Sequence, residues 1–289
     1  MNCAGLLSVL LFILEVLLND HLAKTMISKK TMTDQLGRQI AFEQLPMRIV
    51  SLVPSQTELL VDLGLEEQLV GLTKFCVHPA DLRKKKTVVG GTKTLHFDKI
   101  RALDPDVILC NKEENTKEII YTLEKEFLVH ISDISSLKDA YEMIAQYGEM
   151  FDVAKKAVEL IDDIKQEVAE FQKFIADEPR LKVAYFIWRR PWMVVGGNTF
   201  VNHLLQMNNF ENVYGSLPRY PEVDLERLKK TDLMLLSSEP FPFAEKHKKE
   251  LEPYAGTAKI TFVDGEYFSW YGSRLEAAFR YFRKWRETL

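Results

Sequence analysis

Apolar residues recur at steps of three and four over residues 151–177, at Val153, Ala157, Leu160, Ile161, Ile164, Val168, Phe171 and Ile175. That spacing places them on one face of a helix. Asp152 stands where a side chain can accept from the first free N–H groups. Pro179 disfavours a helical residue before it, so Asp177-Glu178-Pro179 ends the run. Neither Gly nor Pro interrupts it, and at ~1.5 Å per residue the helix is roughly 38 Å long, about the width of a domain. The spacing predicts a rigid strut between two lobes, in preference to a crossover helix inside one domain.

On both sides of the strut, short β-branched runs alternate with helical ones. Ahead of it, residues 34–42 read as a hairpin with Gly37 at the turn. Strands are predicted at 48–53, 69–73, 106–110 and 128–132, and helices at 56–63, 97–103 and 115–127. Ser55 is placed to cap the first helix and Gly64 to close it. Residues 75–79 read as a loop. After the strut, strands are predicted at 182–188, 232–236 and 259–264. Helices follow at 199–207, with Asn198 to cap it, at 225–229 and at 273–286. Such alternation implies parallel sheets covered on both faces. The predicted class is α/β, two Rossmann-like lobes with parallel sheets joined by one long backbone helix. The divisions are 1–33, an N-terminal extension; 34–150, one lobe; 151–178, the strut; and 179–289, the second lobe. Two fragments repeat across the strut: an acidic residue near the start of a short helix (Asp98, Glu226), then a strand opening with Asp106 or Asp232. Val88-Val89-Gly90-Gly91 and Val194-Val195-Gly196-Gly197 echo each other as well.

The 289 residues suffice for two modest domains, and 46% hydrophobic with 28% charged residues describes a globular chain. A net charge of −4 argues against a nucleic-acid surface. Three cysteines (Cys3, Cys76, Cys110) are too few and too scattered for a disulfide framework or a CxxC zinc site. An apolar run at 4–18 has the length of a signal-peptide core. No Lys or Arg precedes it and Glu15 lies inside it. It reads as a weak export signal, an uncleaved anchor, or an extension upstream of a start at Met26 or Met32.

Enzyme signatures are missing from the sequence. The six histidines form no HxH or HExxH pair, no Ser occupies a GxSxG elbow, and no GxGxxG occurs. Gly90-Gly91-Thr92-Lys93 lacks the spacing of a phosphate loop. Asp162 and Asp163 fall on the polar side of the strut. What does stand out is the concentration of aromatic and polar residues at strand ends: Phe75–His78, Asn111–Asn115, Trp188–Trp192, Arg219–Pro221 and Tyr267–Tyr271. In open α/β sheets, ligands sit beyond the carboxyl ends of the strands. Rings there give flat walls, with Arg189, Arg190 or Arg274 to meet a ligand carboxylate or phosphate. Cys76 and His78, a thiol and an imidazole two residues apart, are a candidate metal pair. A buried cysteine beside a turn histidine is the plain alternative.

Residues 48–59 (RIVSLVPSQTEL) resemble the opening strand and helix of class III substrate-binding proteins, which serve ABC importers for cobalamin, haem and ferric siderophores. Residues 103–108, the strut and the 219–223 loop match as well. The resemblance runs from about Asp34 to the C-terminus and looks closest to the cobalamin-binding branch. It implies a periplasmic receptor, not an enzyme, working as a monomer. There is no cofactor of its own; the ligand, cobalamin or another metal chelate, is held in a cleft between the lobes. The partners it implies are an ABC importer permease with its ATPase. The family docks on the permease through one carboxylate per lobe, at positions matching Asp98 and Glu226. Loop aromatics of the cobalamin branch fall on Phe75 and Tyr220. Its cleft tryptophans fall near Thr92 and Asn111 and are missing here, so Trp188, Trp192 and Trp270 are expected to replace them. Strand-end position and resemblance together give the expected ligand-binding set: Pro54, Ser55, Phe75, His78, Lys93, Asn111, Trp188, Arg189, Trp192, Tyr220, Trp270 and Arg274. Two rival readings are a cytoplasmic metal- or tetrapyrrole-binding chaperone or enzyme using Cys76 and His78, and an adaptor with an empty cleft.

Overall fold

The computed structural model describes residues 30–289, so the apolar run at 4–18 lies outside it. Strand β1 (Lys30–Thr33) pairs antiparallel with β2 (Gln39–Phe42). Gly37 turns between them at φ +77°, in the left-handed region where glycine has no Cβ penalty. The hairpin therefore starts inside the segment read as an extension. Asp34 sits under the turn, accepting from the backbone N–H of Leu36 and Arg38.

The first lobe continues with β3 (Ile49–Ser51), α1 (Pro54–Asp62), β4 (Leu69–Leu72), a single helical turn α2 (Leu82–Lys85) and β5 (Thr87–Val88). Then come α3 (Phe97–Leu103), β6 (Val107–Asn111), α4 (Lys117–Leu123), β7 (Val129–Ser132) and α5 (Leu137–Met150). The sheet runs β5-β4-β3-β6-β7, all parallel. Two local readings are corrected here. Ser55 does not cap α1, because Pro54 is already its first residue and Val53 holds the cap position. Proline fits there, since its missing N–H has no helical partner in any case. Helix α5 is an addition to the sequence reading. Its cap, Ser136, accepts from the N–H of Asp139.

The strut is α6 (Ala154–Ile175), shorter at both ends than the span 151–177 read from the sequence. Asp152 takes φ +58° in the tight turn after α5 and caps nothing; Val153 stands at the cap. Close packing of α5 on α6 depends on Gly148, where a Cβ would lie 2.5 Å from that of Ala157. The two ends of α6 belong to different lobes. Near its start, Lys156 Nζ donates to the carbonyl of Leu63 (3.0 Å). Near its end, Gln172 donates to the carbonyl of Met207 (3.1 Å), and Phe171 packs on Phe279 and Phe282.

The second lobe comprises β8 (Leu181–Trp188), β9 (Met193–Val194), α7 (Phe200–Met207), β10 (Phe210–Asn212), β11 (Leu233–Ser237), α8 (Glu245–Leu251), β12 (Lys259–Val263), α9 (Gly265–Ser269) and α10 (Arg274–Arg286). Its parallel sheet runs β10-β8-β11-β12, with β9 added antiparallel to β8. Residues 267–271, read as loop, are largely α9. Thr199, not Asn198, caps α7 by accepting from Asn202 N–H; Asn198 sits at φ +57° just outside. Residues 225–227 form one 3-10 turn.

The internal repeat has a physical counterpart. Asp106 accepts from the N–H groups of Met47 and Arg48, and Asp232 from that of Lys182. Each thus ties the start of a strand (β6, β11) to the beginning of its parallel neighbour in the sheet (β3, β8). One core runs without a break from Met32 through α6 to Phe282, and smaller apolar clusters line the outer face of each sheet.

Candidate functional site

Loops from the carboxyl ends of the two sheets meet along a seam. From the first lobe come residues following β3, β4, β5 and β6; from the second, the 219–223 loop and residues following β11 and β12. The seam is tied at two places. At the floor, Arg274 Nε and Nη2 donate to both oxygens of Glu58 (2.9 and 2.6 Å), and Nη1 lies 3.1 Å from Glu266. His78 Nε2 is 2.9 Å from the same Glu266 oxygen, and its ring meets the edge of Trp270 at 5.5 Å. At the rim, Tyr220 donates to Glu113 (3.0 Å) and Arg219 pairs with it (2.9 Å). Lys93 donates to the carbonyl of Glu113 (3.0 Å), and Phe75, 49% exposed, lies against Gly91.

Several expected residues therefore converge: Phe75, His78, Lys93, Tyr220, Trp270 and Arg274. Pro54 and Ser55 open α1 beneath them, and the backbone of Ser55 faces Gly272. Trp270 is buried, its indole N–H donating to Glu239 (2.8 Å), so it forms a floor and not an open wall. Tyr271 of the second lobe is buried beside Ser132, Gln56 and Ser55 of the first, and its hydroxyl completes no hydrogen bond of good geometry. Burial holds that phenol well above its ordinary range.

Other expectations are corrected. Trp192 packs on Phe186 and stacks on Phe243 on the outer face of the second sheet. Arg189 is paired with Glu250 there, so neither is directed at the seam. Trp188 is 40% exposed at the end of β8, edge-on to Phe241 of its own lobe. The buried carboxamide of Asn111 is fully used: it donates to Ser132 and accepts from the N–H of Glu113 and Glu114, shaping the turn that presents those acids. Cys76 lies in the core, its sulfur 3.1 Å from Thr57 Oγ1 and 3.3 Å from Thr73 Oγ1, and burial pushes its thiol up. His78 is turned to Glu266, and no cluster of three or more His, Cys, Asp or Glu suited to a metal exists among the described residues. Asp98 and Glu226 are exposed, each in the first turn of its short helix.

The sequence reading reached Glu114 only as part of the polar 111–115 cluster and missed the acids Glu58, Glu239 and Glu266. Burial pushes the Glu114 carboxyl up, with Lys93 opposing and Glu113 adding. Burial likewise pushes Glu239 up to about 7; hydrogen bonds from Ser269 and Trp270 oppose, and the charges of Glu266 and Glu114 add. The fold thus favours the protonated acid at Glu239. That stabilisation is full below the unfolded value of ~4.3 and is lost as pH rises through about 7. Glu239→Gln keeps an oxygen for Trp270 and Ser269 without titrating. Its stability relative to wild type should rise by about 2 kcal/mol between pH 5 and pH 8. Urea denaturation at the two pH values checks this; an unchanged difference contradicts the assignment.

A hollow of ≈ 370 Å³ lined by Phe42, Pro46, Asp106 and Leu128 lies at the other end of the sheet, where β6 begins. Ligands of open α/β sheets do not use that end.

Comparison with known proteins agrees with this geometry. The model of a family described as "Periplasmic binding protein" matches residues 49–249. The chain belongs to that family. A substrate-binding lipoprotein of an ABC transporter, uncharacterized, from Bacillus subtilis is 26% identical over 65% of this chain and 62% of its own length. The chain thus aligns with less than two thirds of that relative. A vitamin B12-binding protein of Vibrio vulnificus is 26% identical over 66% of this chain and 71% of its own. A periplasmic heme-binding protein of Pseudomonas aeruginosa superposes with a TM-score of 0.73 at 21% identity, covering 83% of this chain and 92% of that one, which shows the shared two-lobed fold. The family is one of binding proteins, not enzymes. Among the described residues no helix is long and apolar enough to cross a membrane.

Proposed function

We propose that this family member is the receptor of an ABC importer. It captures a corrinoid or another metal chelate between its lobes, outside the cytoplasm, and hands it to a membrane permease driven by an ATPase. The observation that carries this reading is the meeting of strand carboxyl ends from both sheets along one seam, with Phe75, Tyr220 and Trp270 beside it. Both curated relatives, by their names, are binding proteins, one of an ABC transporter and one of vitamin B12. Absorbance and calorimetric titration with cyanocobalamin, haemin and a ferric chelate tests it. Saturable binding of one of them at micromolar concentration or below is expected, and failure of all three refutes it.

In this reading Asp98 and Glu226 dock on the permease, one per lobe. Both are exposed, so reversing them leaves the fold intact. The double variant Asp98→Lys/Glu226→Lys should lose at least about tenfold in permease-dependent uptake, a coupling on the order of 1.4 kcal/mol, with ligand affinity unchanged. A matching loss of ligand affinity removes the docking assignment. The chaperone or enzyme reading gains nothing from Cys76, whose thiol is enclosed in the core.

A further inference from the structure

The two Gly-Gly turns that echo each other across the strut converge on one side chain. In the second lobe, Gly196 N–H donates to the carbonyl of Arg219 (2.7 Å) and Gly197 N–H to that of Leu217 (2.6 Å), while Arg219 N–H donates to that of Gly197 (2.9 Å). A Cβ at Gly196 would lie 2.3 Å from the carbonyl oxygen of Leu217, and one at Gly197 the same distance from that of Gly215. So close an approach needs glycine at both positions. Residues 217–219 thus form a shelf bonded against the chain leaving β9. Arg219 is held on it at φ +58°, a left-handed conformation uncommon for a side chain of that size. In the first lobe, Gly90 at φ +130° and the bond from Gly91 N–H to the Thr94 carbonyl (2.7 Å) turn the chain so that Lys93 reaches the carbonyl of Glu113 (3.0 Å). The carboxamide of Asn111 holds the same turn by accepting from the N–H groups of Glu113 and Glu114.

Glu113 is therefore fixed to its own lobe through its backbone, and both its carboxylate oxygens go to the other lobe. Oε2 accepts from the Tyr220 hydroxyl (3.0 Å), a charge-assisted bond, and Oε1 lies 2.9 Å from Arg219 Nη1. Lys93 and Lys74, the latter over the Phe75 ring, stand on the first lobe with Glu113 and do not hold the lobes together. The floor is tied differently. Arg274, expected to await a ligand anion, is instead enclosed between Glu58 and Glu266. At the rim Arg219 is 48% exposed and Glu113 22%, so water competes there and the rim tie yields before the floor. A guest entering between the lobes has to part Tyr220 from Glu113, because nothing fits between groups in hydrogen-bond contact.

We propose that Glu113 and Tyr220 form a latch that holds the seam shut until a ligand enters, with the Arg274–Glu58 floor as the hinge. The proposal rests on the receptor reading for the ligand and on the geometry of the two turns for the latch. Latch and ligand compete, so removing the latch speeds entry and tightens binding. Removing a residue that grips the ligand would do the reverse.

The test places spin labels at Lys117→Cys and Ser216→Cys, exposed positions on either side of the rim, in a Cys3→Ser background with Cys76 and Cys110 left buried. Pulsed electron resonance reads the distance between the lobes without ligand, in the parent and in its Tyr220→Phe and Glu113→Ala variants, after circular dichroism has established that each is folded. The parent should give one narrow distance. A latch weakened about tenfold takes an open population of about 5% to about a third, so each variant should show a second, longer distance. Stopped-flow absorbance with cyanocobalamin and with haemin should then show association about sevenfold faster and dissociation unchanged for the probe that binds. Unchanged distances in the folded variants, or a probe held more weakly by Tyr220→Phe, overturn the latch and leave the receptor reading standing. Binding of neither probe counts against the receptor reading, and the distances alone then decide the latch. Should Glu113→Ala fail to fold, Tyr220→Phe, which removes a single oxygen, carries the test.

Discussion

Arg274→Met is expected to lower the free energy of unfolding by about 4 kcal/mol, because it leaves a partly buried carboxylate without its partner. Arg274 stands at the first turn of α10 in the second lobe, and Glu58 on α1 in the first. Their side chains are only 11% and 16% exposed, and the pairing is bidentate. Burial already pushes the Glu58 carboxyl up against the pull of Arg274, so the variant should take up a proton there as it loses stability. The guanidinium also lies 4.8 Å from the Trp270 ring and 3.1 Å from Glu266, so the loss reaches the floor of the seam. Glu58→Gln in the same background removes the orphaned charge and should recover about half of the deficit. A double-mutant cycle by urea denaturation measures the coupling. A deficit below about 1 kcal/mol would class the pair with ordinary surface bridges and remove it as a tie between the lobes.

Phe171→Ala is expected to cost about 4 kcal/mol as well, by a different route. Its ring is 2% exposed and packs on Phe174, Phe279 and Phe282, at 5.6 to 6.0 Å between centroids. Truncation removes buried apolar surface and leaves a cavity that these rings cannot readily fill. It also loosens the second lobe's hold on the strut. Val158→Ala on the same helix, at 56% exposure, is the control and should change stability by less than about 0.5 kcal/mol. Guanidinium denaturation of both variants decides; equal losses would mean that α6 gains its stability from its own helix propensity and not from docking.

The strut was legible because its apolar stripe persists over six turns without a breaker, and the strands because β-branched runs end in turn residues. The cap of α6 was not, since Asp152 is drawn into the turn that brings α5 against the strut. Helix α5 had its own marks, a Ser136 cap and apolar residues at Leu137, Ala140, Ile144 and Tyr147, beside a longer and more regular neighbour. Phe75, His78, Tyr220, Trp270 and Arg274 were found because strand-end position predicts the seam directly. Trp192 and Arg189 share that position but turn to the outer face, where Phe243 and Glu250 receive them, and periodicity does not specify which way a loop turns. The acids were missed because a lone glutamate after a strand reads as a solvated surface residue. Matching Asp106 with Asp232 and counting from Glu113 of the first half to the same point of the second would have found Glu239.

The single core that threads the strut has a thermodynamic consequence. Two sheets joined by a loose linker would give separate heat-absorption peaks, each with its own midpoint. Here the helix that connects them buries residues against both, and α10 reaches back from the second lobe to the first through Arg274. Neither half can lose its packing without uncovering the other's, so the described region should melt in one endotherm whose calorimetric and van't Hoff enthalpies agree.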